Sequence, residues 1–556
     1  MSEMLEVFCN NTNSKILIPF GSSLKDIEKF SGFKSHYPIL GAYVNNKVES
    51  LRYDVYMPKT IEFFDITDPS AGRRMYALSL IFIMYKAIKE LYSNATLNVH
   101  HSMSNGYYVE VPIDGCVNNA CCKDIKERME VIILRDIPFE RKLMSSKEAI
   151  KLFNSVGLTA KATLIENNKK LFVDVDFLGD TVDCFYTPLA YSTSLINVFD
   201  LIPFDKGLLL VMPDKKTPTK VSPLHKKQDK MFSVFREYEQ WVRILGTSYV
   251  SELNQIVVQK KENELIQVSE ALHEKRYAQI ADEIYNRKED IKIVLLAGPS
   301  SSGKTTSCRR IATQLAVLGF APIQLSLDDY FLDREFTPKK ANGDYDFECL
   351  EALDIPLFNS QMQDLMQGKE VLLPHYDFIK GKKVFSKTPI KPKDNVVFIV
   401  EGIHALNPKL SESIDRKNKY HIFVSALTQV SIDKHNLISS SDNRLIRRIV
   451  RDYNYRGYSA LDTLKRWQSV RDGEEKHIFP YQENADSIFN SSLLYEIGVL
   501  KTYAKPLLAE VPQNEVSYAE AKRLLAFLSN FKTISEKSIP PTSIMREFLG
   551  GSSFEY

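Results

Sequence analysis

The sequence predicts a multidomain chain that joins α+β and α/β units, and three observations support this. At 556 residues the chain is too long for one hydrophobic core, so roughly two to four domains are expected. The first sixty-odd residues break into short runs of alternating apolar and polar character, the pattern of a small mixed sheet. From residue 288 onward, β-branched runs alternate with helical stretches, the rhythm of a parallel sheet flanked by helices.

Composition narrows the function classes. Hydrophobic content of 44% and charged content of 26% are ordinary for a soluble globular chain, and a net charge of +2 exerts no global pull on nucleic acid or membrane. No run approaches the roughly 18 apolar residues of a membrane span, and the apolar stretch at 76–84 lies too far in to be an export signal. Seven cysteines, an odd number, in a chain without such a signal read as reduced thiols in a cytoplasmic protein. Cys116, Cys121 and Cys122 form C-x4-C-C, which is not a zinc spacing, so no structural metal is expected.

In chain order, residues 1–65 carry strand-like runs at 6–9, 15–18, 42–44 and 60–64 and a short helical piece at 23–30. Residues 66–223 open with a helix over 73–92 that is apolar nearly all round, which predicts deep burial. Strand-like runs at 107–113, 171–175 and 208–212 and a helix at 146–156 follow. Residues 224–287 read as a helical connector. Met231, Phe235, Tyr238, Val242 and Leu245 step by three and four up to Gly246, and a second helix carries Leu265, Val268, Leu272, Ile280 and Ile284. His273, set among charges there, reads as a surface residue. The tail, 511–556, offers a capping box at Ser517-x-x-Glu520 and a short amphipathic end at 544–549, expected to dock on another part of the chain.

The chemistry concentrates in 288–510. Gly298-Pro-Ser300-Ser301-Ser302-Gly303-Lys304-Thr305 fits G-x-x-x-x-G-K-[ST], between a strand at 291–296 and a helix at 306–318. Such a loop wraps its N–H groups and the next helix N-terminus around phosphates, which assigns Gly298, Ser300, Ser301, Ser302, Gly303, Lys304, Thr305 and Thr306 to a nucleoside triphosphate. Lys304 would reach the β/γ-phosphates and the Thr305 hydroxyl would bind Mg²⁺. Further strands are expected at 322–327, 396–400 and 420–424. Ligands of open α/β sheets sit beyond the C-terminal strand ends, which points to Asp328 as a proton acceptor and Glu401 as a carboxylate on the metal side. Arg444, Arg447, Arg448 and Arg451 repeat at helical spacing and Arg456 follows. With Asp452 and Gly457 they predict a phosphate lid.

Two resemblances extend this reading. Gly41-Ala-Tyr-Val-Asn-Asn-Lys-Val, Ile61-Glu-Phe-Phe-Asp-Ile-Thr-Asp-Pro and His100-His-Ser-Met-Ser-Asn-Gly-Tyr-Tyr resemble the N-terminal half of threonyl-tRNA synthetases over about 1–200. That implies a TGS-like β-grasp domain (1–65) and an editing-domain-like α+β unit (66–223). The family's H-x-x-x-H corresponds to Leu78 and Phe82, and Cys184 lacks the later His, so a non-catalytic scaffold or binding module is implied. His100 and His101 then read as turn or pocket residues.

The phosphate loop resembles, together with Leu327-Asp-Asp-Tyr-Phe331, Asp346-Phe-Glu348, Pro374-His-Tyr-Asp-Phe378, Glu401-Gly-Ile403 and Arg447-Arg-Ile-Val-Arg-Asp452…Arg456-Gly457, the uridine kinase / phosphoribulokinase family in its nucleoside-kinase branch. That resemblance implies a P-loop kinase using ATP and Mg²⁺ on a small nucleoside. Asp328 would be the base for the 5′-hydroxyl and Glu401 a metal ligand. Glu348 would sit at the ribose, Tyr376 beside the base, and Arg448, Arg451 and Arg456 at the lid. Gly381 stands where the family has a base-reading His, and Tyr458 occupies a basic lid position. Uridine or cytidine is the simplest acceptor, with a sugar phosphate or other small alcohol as the alternative. The synthetase-like half motivates a third reading, an ATP-switched RNA-binding protein, although charge does not point to RNA. No membrane partner is expected, and the oligomeric state stays open.

Overall fold

A computed structural model describes residues 3–555 except 104, 113–118, 224–227, 341–342 and 379. Ile113, Cys116 and Leu224, each part of an expectation above, lie outside the described residues.

The N-terminal unit is a five-stranded mixed sheet in the order Ser14–Pro19, Met4–Cys9, Thr60–Phe64, Gly41–Val44, Lys47–Ser50. Its first and last strands in chain order pair in parallel, Phe8 with Thr60 and Cys9 with Ile61. One face packs on the helix Leu24–Ser31. Ser23 Oγ caps that helix by accepting from Asp26 N at 3.2 Å, and Gly32 ends it at φ +64°.

The second unit is built on Ala71–Leu91, which is buried on nearly every side. Around it stand a four-stranded antiparallel sheet (Asp200–Phe204, Gly207–Val211, Gly106–Glu110, Asn98–Met103), a three-stranded sheet (Phe139–Ser145, Phe172–Leu178, Thr181–Asp183) and the helices Asn119–Leu134, Ser146–Ser155 and Thr159–Asn168. His100 and His101 lie on a strand and not in a turn. His101 is buried and stacked on Phe235 with ring centroids 3.9 Å apart. The reduced-thiol expectation holds for Cys9, Cys122, Cys184, Cys308 and Cys349. It fails at Cys121, which is disulfide-bonded, because an odd total says nothing about a local pair.

Three helices follow, Asp229–Leu245, Val250–Val258 and Glu262–Tyr285. The last packs into the core of the following sheet domain through Leu265, Ile266, Tyr277, Ile280 and Ile284. His273 is therefore a core residue, 1% exposed, with Nε2 3.3 Å from the Ser492 carbonyl and its ring 5.1 Å from Phe489. The charged residues that follow it directly, Glu274 and Lys275, are exposed, which is why local composition misplaced it.

The C-terminal sheet is wholly parallel, in the order Ala321–Ser326, Val396–Glu401, Ile293–Ala297, Lys419–Ser425, Ser487–Asn490. Its central strand, Ile293–Ala297, is buried throughout, as a parallel strand covered on both faces must be. The tail docks back on this domain. The expected capping box is absent: Ser517 makes no side-chain cap because its backbone, at φ −67° and ψ −7°, is already helical, and Glu520 turns to Arg523, Arg74 and the Ser70 hydroxyl. Among the described residues no helix is long and apolar enough to cross a membrane.

Candidate active site

The central strand delivers the loop Gly298–Gly303 to the C-terminal edge of the sheet. Two glycines are dictated by geometry. A Cβ on Gly298 would lie 2.1 Å from the Val424 carbonyl oxygen, and Gly303 stands at φ +83° directly before the helix Lys304–Val317. Ser301 is also left-handed, at φ +57°. The Ser301 and Ser302 hydroxyls are buried with no hydrogen-bond partner among the described residues, and Lys304 Nζ is parked on the Pro299 carbonyl at 3.2 Å. A loop of orphaned hydroxyls, a parked ammonium and a helix N-terminus fits polyphosphate.

Glu401 ends its strand beside this loop. Its Oε1 accepts from Thr305 Oγ1 at 3.2 Å and from Ser326 Oγ at 3.4 Å. Burial pushes its carboxyl up to about 7, Lys304 pulls the other way, and Asp328 and Glu547 add like charge. A buried acid and a hydroxyl, both hard oxygen donors, fit Mg²⁺. Gly402 follows because a Cβ there would lie 2.6 Å from Leu327 Cβ, so Glu401 can stand close to the neighbouring strand end.

Asp328 begins the turn after Ala321–Ser326, and its backbone N–H donates to Ser326 Oγ at 3.3 Å. Its side chain is exposed at the C-terminal edge of the sheet, on the side of the phosphate loop. Desolvation by the surrounding protein still holds the carboxyl above the usual range, although Lys304, Arg456 and Arg451 face it and favour its charge. The adjacent Asp329 plays a different part. Its Oδ1 accepts from Tyr376 N at 3.2 Å and contacts His375 Nδ1 at 2.9 Å, tying the turn to Pro374–Asp377.

The arginines divide. They lie on Ser440–Arg456, and the face expected to form a lid is split between cleft and core. Arg444 and Arg447 are buried, Arg444 with Glu474 and Arg447 with Glu496 at 2.7 Å, so neither is a lid residue. The helix packs against the loop and the sheet, which turns half of its basic face inward. Their remaining N–H groups instead brace the loop, Arg444 on the Ser300 carbonyl at 3.0 Å and Arg447 on the Ser301 carbonyl at 3.4 Å. Arg448 donates to Ser300 Oγ at 2.7 Å and shares Asp452 with Arg451 and Arg456.

Glu348 is half-buried near Arg448, and burial pushes its carboxyl up to about 7. Tyr376 is buried against Phe331 and Phe378, with ring centroids 5.7 and 5.1 Å away. Gly381 stands at φ +67°, and a Cβ on it would meet the Arg334 side chain at 2.8 Å.

Three site residues escaped sequence reasoning. Glu474 bonds both Arg444 and Ser300 N, Glu496 holds Arg447, and Glu547 from the tail reaches Thr306. Each is an acid in an unremarkable helix, well separated in the chain from the residue it holds, and no local signal marks it.

Fold and site define a P-loop phosphotransferase, with a parallel sheet flanked by helices and the phosphate loop on its central strand. The model of the phosphoribulokinase / uridine kinase family matches residues 293–493. The chain is 31% identical over 205 residues to the uridine kinase of Ligilactobacillus salivarius, spanning 36% of this chain and 86% of that protein. It is 30% identical over 230 residues to the uridine kinase of Borrelia duttonii, spanning 39% of this chain and 97% of the relative. A solved structure described as a possible uridine kinase from Bacillus stearothermophilus overlaps 37% of this chain and 100% of its own, at 15% identity and a TM-score of 0.25. The chain belongs to the phosphoribulokinase / uridine kinase family and is an enzyme that transfers phosphoryl groups.

Proposed function

We propose that the protein transfers the γ-phosphate of ATP to the 5′-hydroxyl of a nucleoside, uridine or cytidine being the simplest acceptors. The observation that carries this is Asp328, held at a strand end in the cleft and faced by Lys304, Arg451 and Arg456. In this reading Asp328 accepts the hydroxyl proton as the oxygen attacks. Lys304, the loop N–H groups and Arg448, Arg451 and Arg456 hold the charge on the transferring group. Thr305 and Glu401 would hold Mg²⁺, which supplies positive charge against the phosphates. Glu348 takes the sugar hydroxyls, and Tyr376 with its aromatic neighbours walls the base.

Residues 1–223 act as a non-catalytic accessory region. The parallel pairing of the first unit's first and last strands over one helix supports a TGS-like β-grasp assignment for 1–65. The site in this reading works in the cytoplasm.

The test is ADP release from Mg²⁺·ATP across a nucleoside panel, for the wild type and Asp328→Asn. Turnover should fall about 10²–10⁴-fold with ATP affinity retained; undiminished turnover would remove Asp328 as the base. One observation favours a second reading, an acceptor other than a pyrimidine nucleoside: Gly381 leaves its space to Arg334, a donor-only side chain. Turnover on ribulose 5-phosphate or another alcohol alone selects that reading.

A further inference from the structure

The helix after the phosphate loop begins with N–H groups turned toward the cleft, and Thr306 supplies one of them. An acid from the far end of the chain already holds it. Glu547 Oε2 accepts from the Thr306 amide at 3.3 Å and from the Thr306 hydroxyl at 2.6 Å. The segment carrying it is wedged into the domain. Ile544, Met545 and Phe548 are fully buried, and Ile544 Cγ2 lies 2.9 Å from where a Cβ on Gly303 would stand. The Phe548 ring lies 5.1 Å from the Arg447 guanidinium, and its carbonyl accepts from Asn454 Nδ2 at 3.0 Å. Ser543 donates to Glu270 at 2.6 Å, which pins the segment to the helix Glu262–Tyr285.

A helix N-terminus stabilises an anion whether it is a carboxylate or a phosphate. Two anions cannot share the same amide and hydroxyl, because like charges a few ångströms apart repel strongly in a partly dry cleft. We propose that Glu547 sets how tightly this kinase holds its phosphate donor, by occupying the Thr306 amide and hydroxyl that the nucleotide's phosphates must take over. The inference rests on the reading of Gly298–Thr306 as the donor site. The buried backbone of 543–549 stays as a wall of the pocket, and only the carboxylate withdraws when nucleotide enters.

Glu547→Gln tests this with little disturbance, since the amide oxygen still accepts from Thr306 and only the charge is lost. Calorimetric titration of the full chain with Mg²⁺·ATP should show about tenfold tighter binding for Glu547→Gln, and tightening again for Glu547→Ala, each checked for folding by thermal melting. Hydrogen exchange of the wild type should show the Thr306 amide keeping its protection as a non-hydrolysable ATP analogue replaces the carboxylate, with the 546–549 turn keeping its own; faster exchange of that turn would mean that the whole segment leaves and not the carboxylate alone. Lys304→Ala separates the two possible failures. If it abolishes ATP binding while both Glu547 variants bind no better than wild type, Glu547 is a helix cap and the inference falls alone. If no form of the chain binds Mg²⁺·ATP, the donor-site reading falls with it.

Discussion

At the scale of single residues, the phosphate loop is defined by what cannot be placed there. The 2.1 Å approach of a Cβ on Gly298 to the Val424 carbonyl involves backbone on both sides, and neither the central strand nor its neighbour can yield. Gly298→Ala should therefore cost about 1–3 kcal/mol of stability and displace the loop enough to abolish Mg²⁺·ATP binding. Denaturant unfolding and nucleotide titration check the two parts separately, and an unperturbed variant would show that the strand pair is softer than its packing implies. Asp328 and Glu401 illustrate the complementary case of residues defined by what surrounds them. Both are strand-end acids next to Lys304, but burial brings Glu401 to about 7 while Asp328 stays open on one side. The deeper acid suits a cation and the more accessible one suits a substrate hydroxyl.

At the scale of elements, Ser440–Arg456 is where reading the sequence and seeing the structure diverge most usefully. Its amphipathic period and basic face were legible, and so were its neighbours: the phosphate loop, its strand and helix, and the strand-end acids all follow from runs and turn residues close together in the chain. Which arginines face the cleft was not legible, because the deciding partners, Glu474 and Glu496, lie on other helices. His273 was missed for the same reason. The last strand, Ser487–Asn490, is short and polar at both ends, and only its pairing with Lys419–Ser425 makes it a strand. The inward arginines carry a prediction. Arg447→Met leaves the Glu496 carboxylate buried, with only Asn443, Ser492 and the Leu493 N–H to hold it. It should destabilise the chain by about 3–5 kcal/mol. Replacing Glu496 by Leu as well should recover much of that loss. Urea unfolding of the two single variants and the double variant decides it, and a single variant at wild-type stability would mean that the pair is not a support for the loop.

At the scale of the whole molecule, the N-terminal half and the kinase half are joined by buried charge and not by a loose linker. Lys161 bridges Asp183 at 2.5 Å and Asp433 at 3.0 Å, and His435 Nδ1 lies 2.7 Å from Asp183, all of them buried. Residues 433–435 belong to the segment that runs from Lys419–Ser425 into the arginine helix, so the second unit grips the kinase just upstream of its cleft arginines. A second contact, between the second unit and the helix Asp229–Leu245 whose Met231, Val234 and Tyr238 pack into the kinase core, reports on this union through pH. His100 sits between Glu110 and Glu239, with Nδ1 2.9 Å from Glu239 and Nε2 3.2 Å from Glu110, and Arg243 and Tyr108 share the same acids. Burial opposes its charge, but the two carboxylates overcome that and raise it to about 9, while the neighbouring His101 is held neutral by burial. A raised folded-state pKa means that the contribution is fully present below the ordinary histidine value of 6.5 and is lost as pH climbs toward 9. Glu239, held down to about 2, keeps its own contribution above the ordinary carboxylate value of 4.5 and loses it only in acid. The wild type should therefore lose melting temperature between pH 6.5 and 9 by more than His100→Asn does, and the two curves should converge at the alkaline end. A constant offset between the curves across that range would show that His100 matters by shape alone, and that the two halves are not held together by its charge.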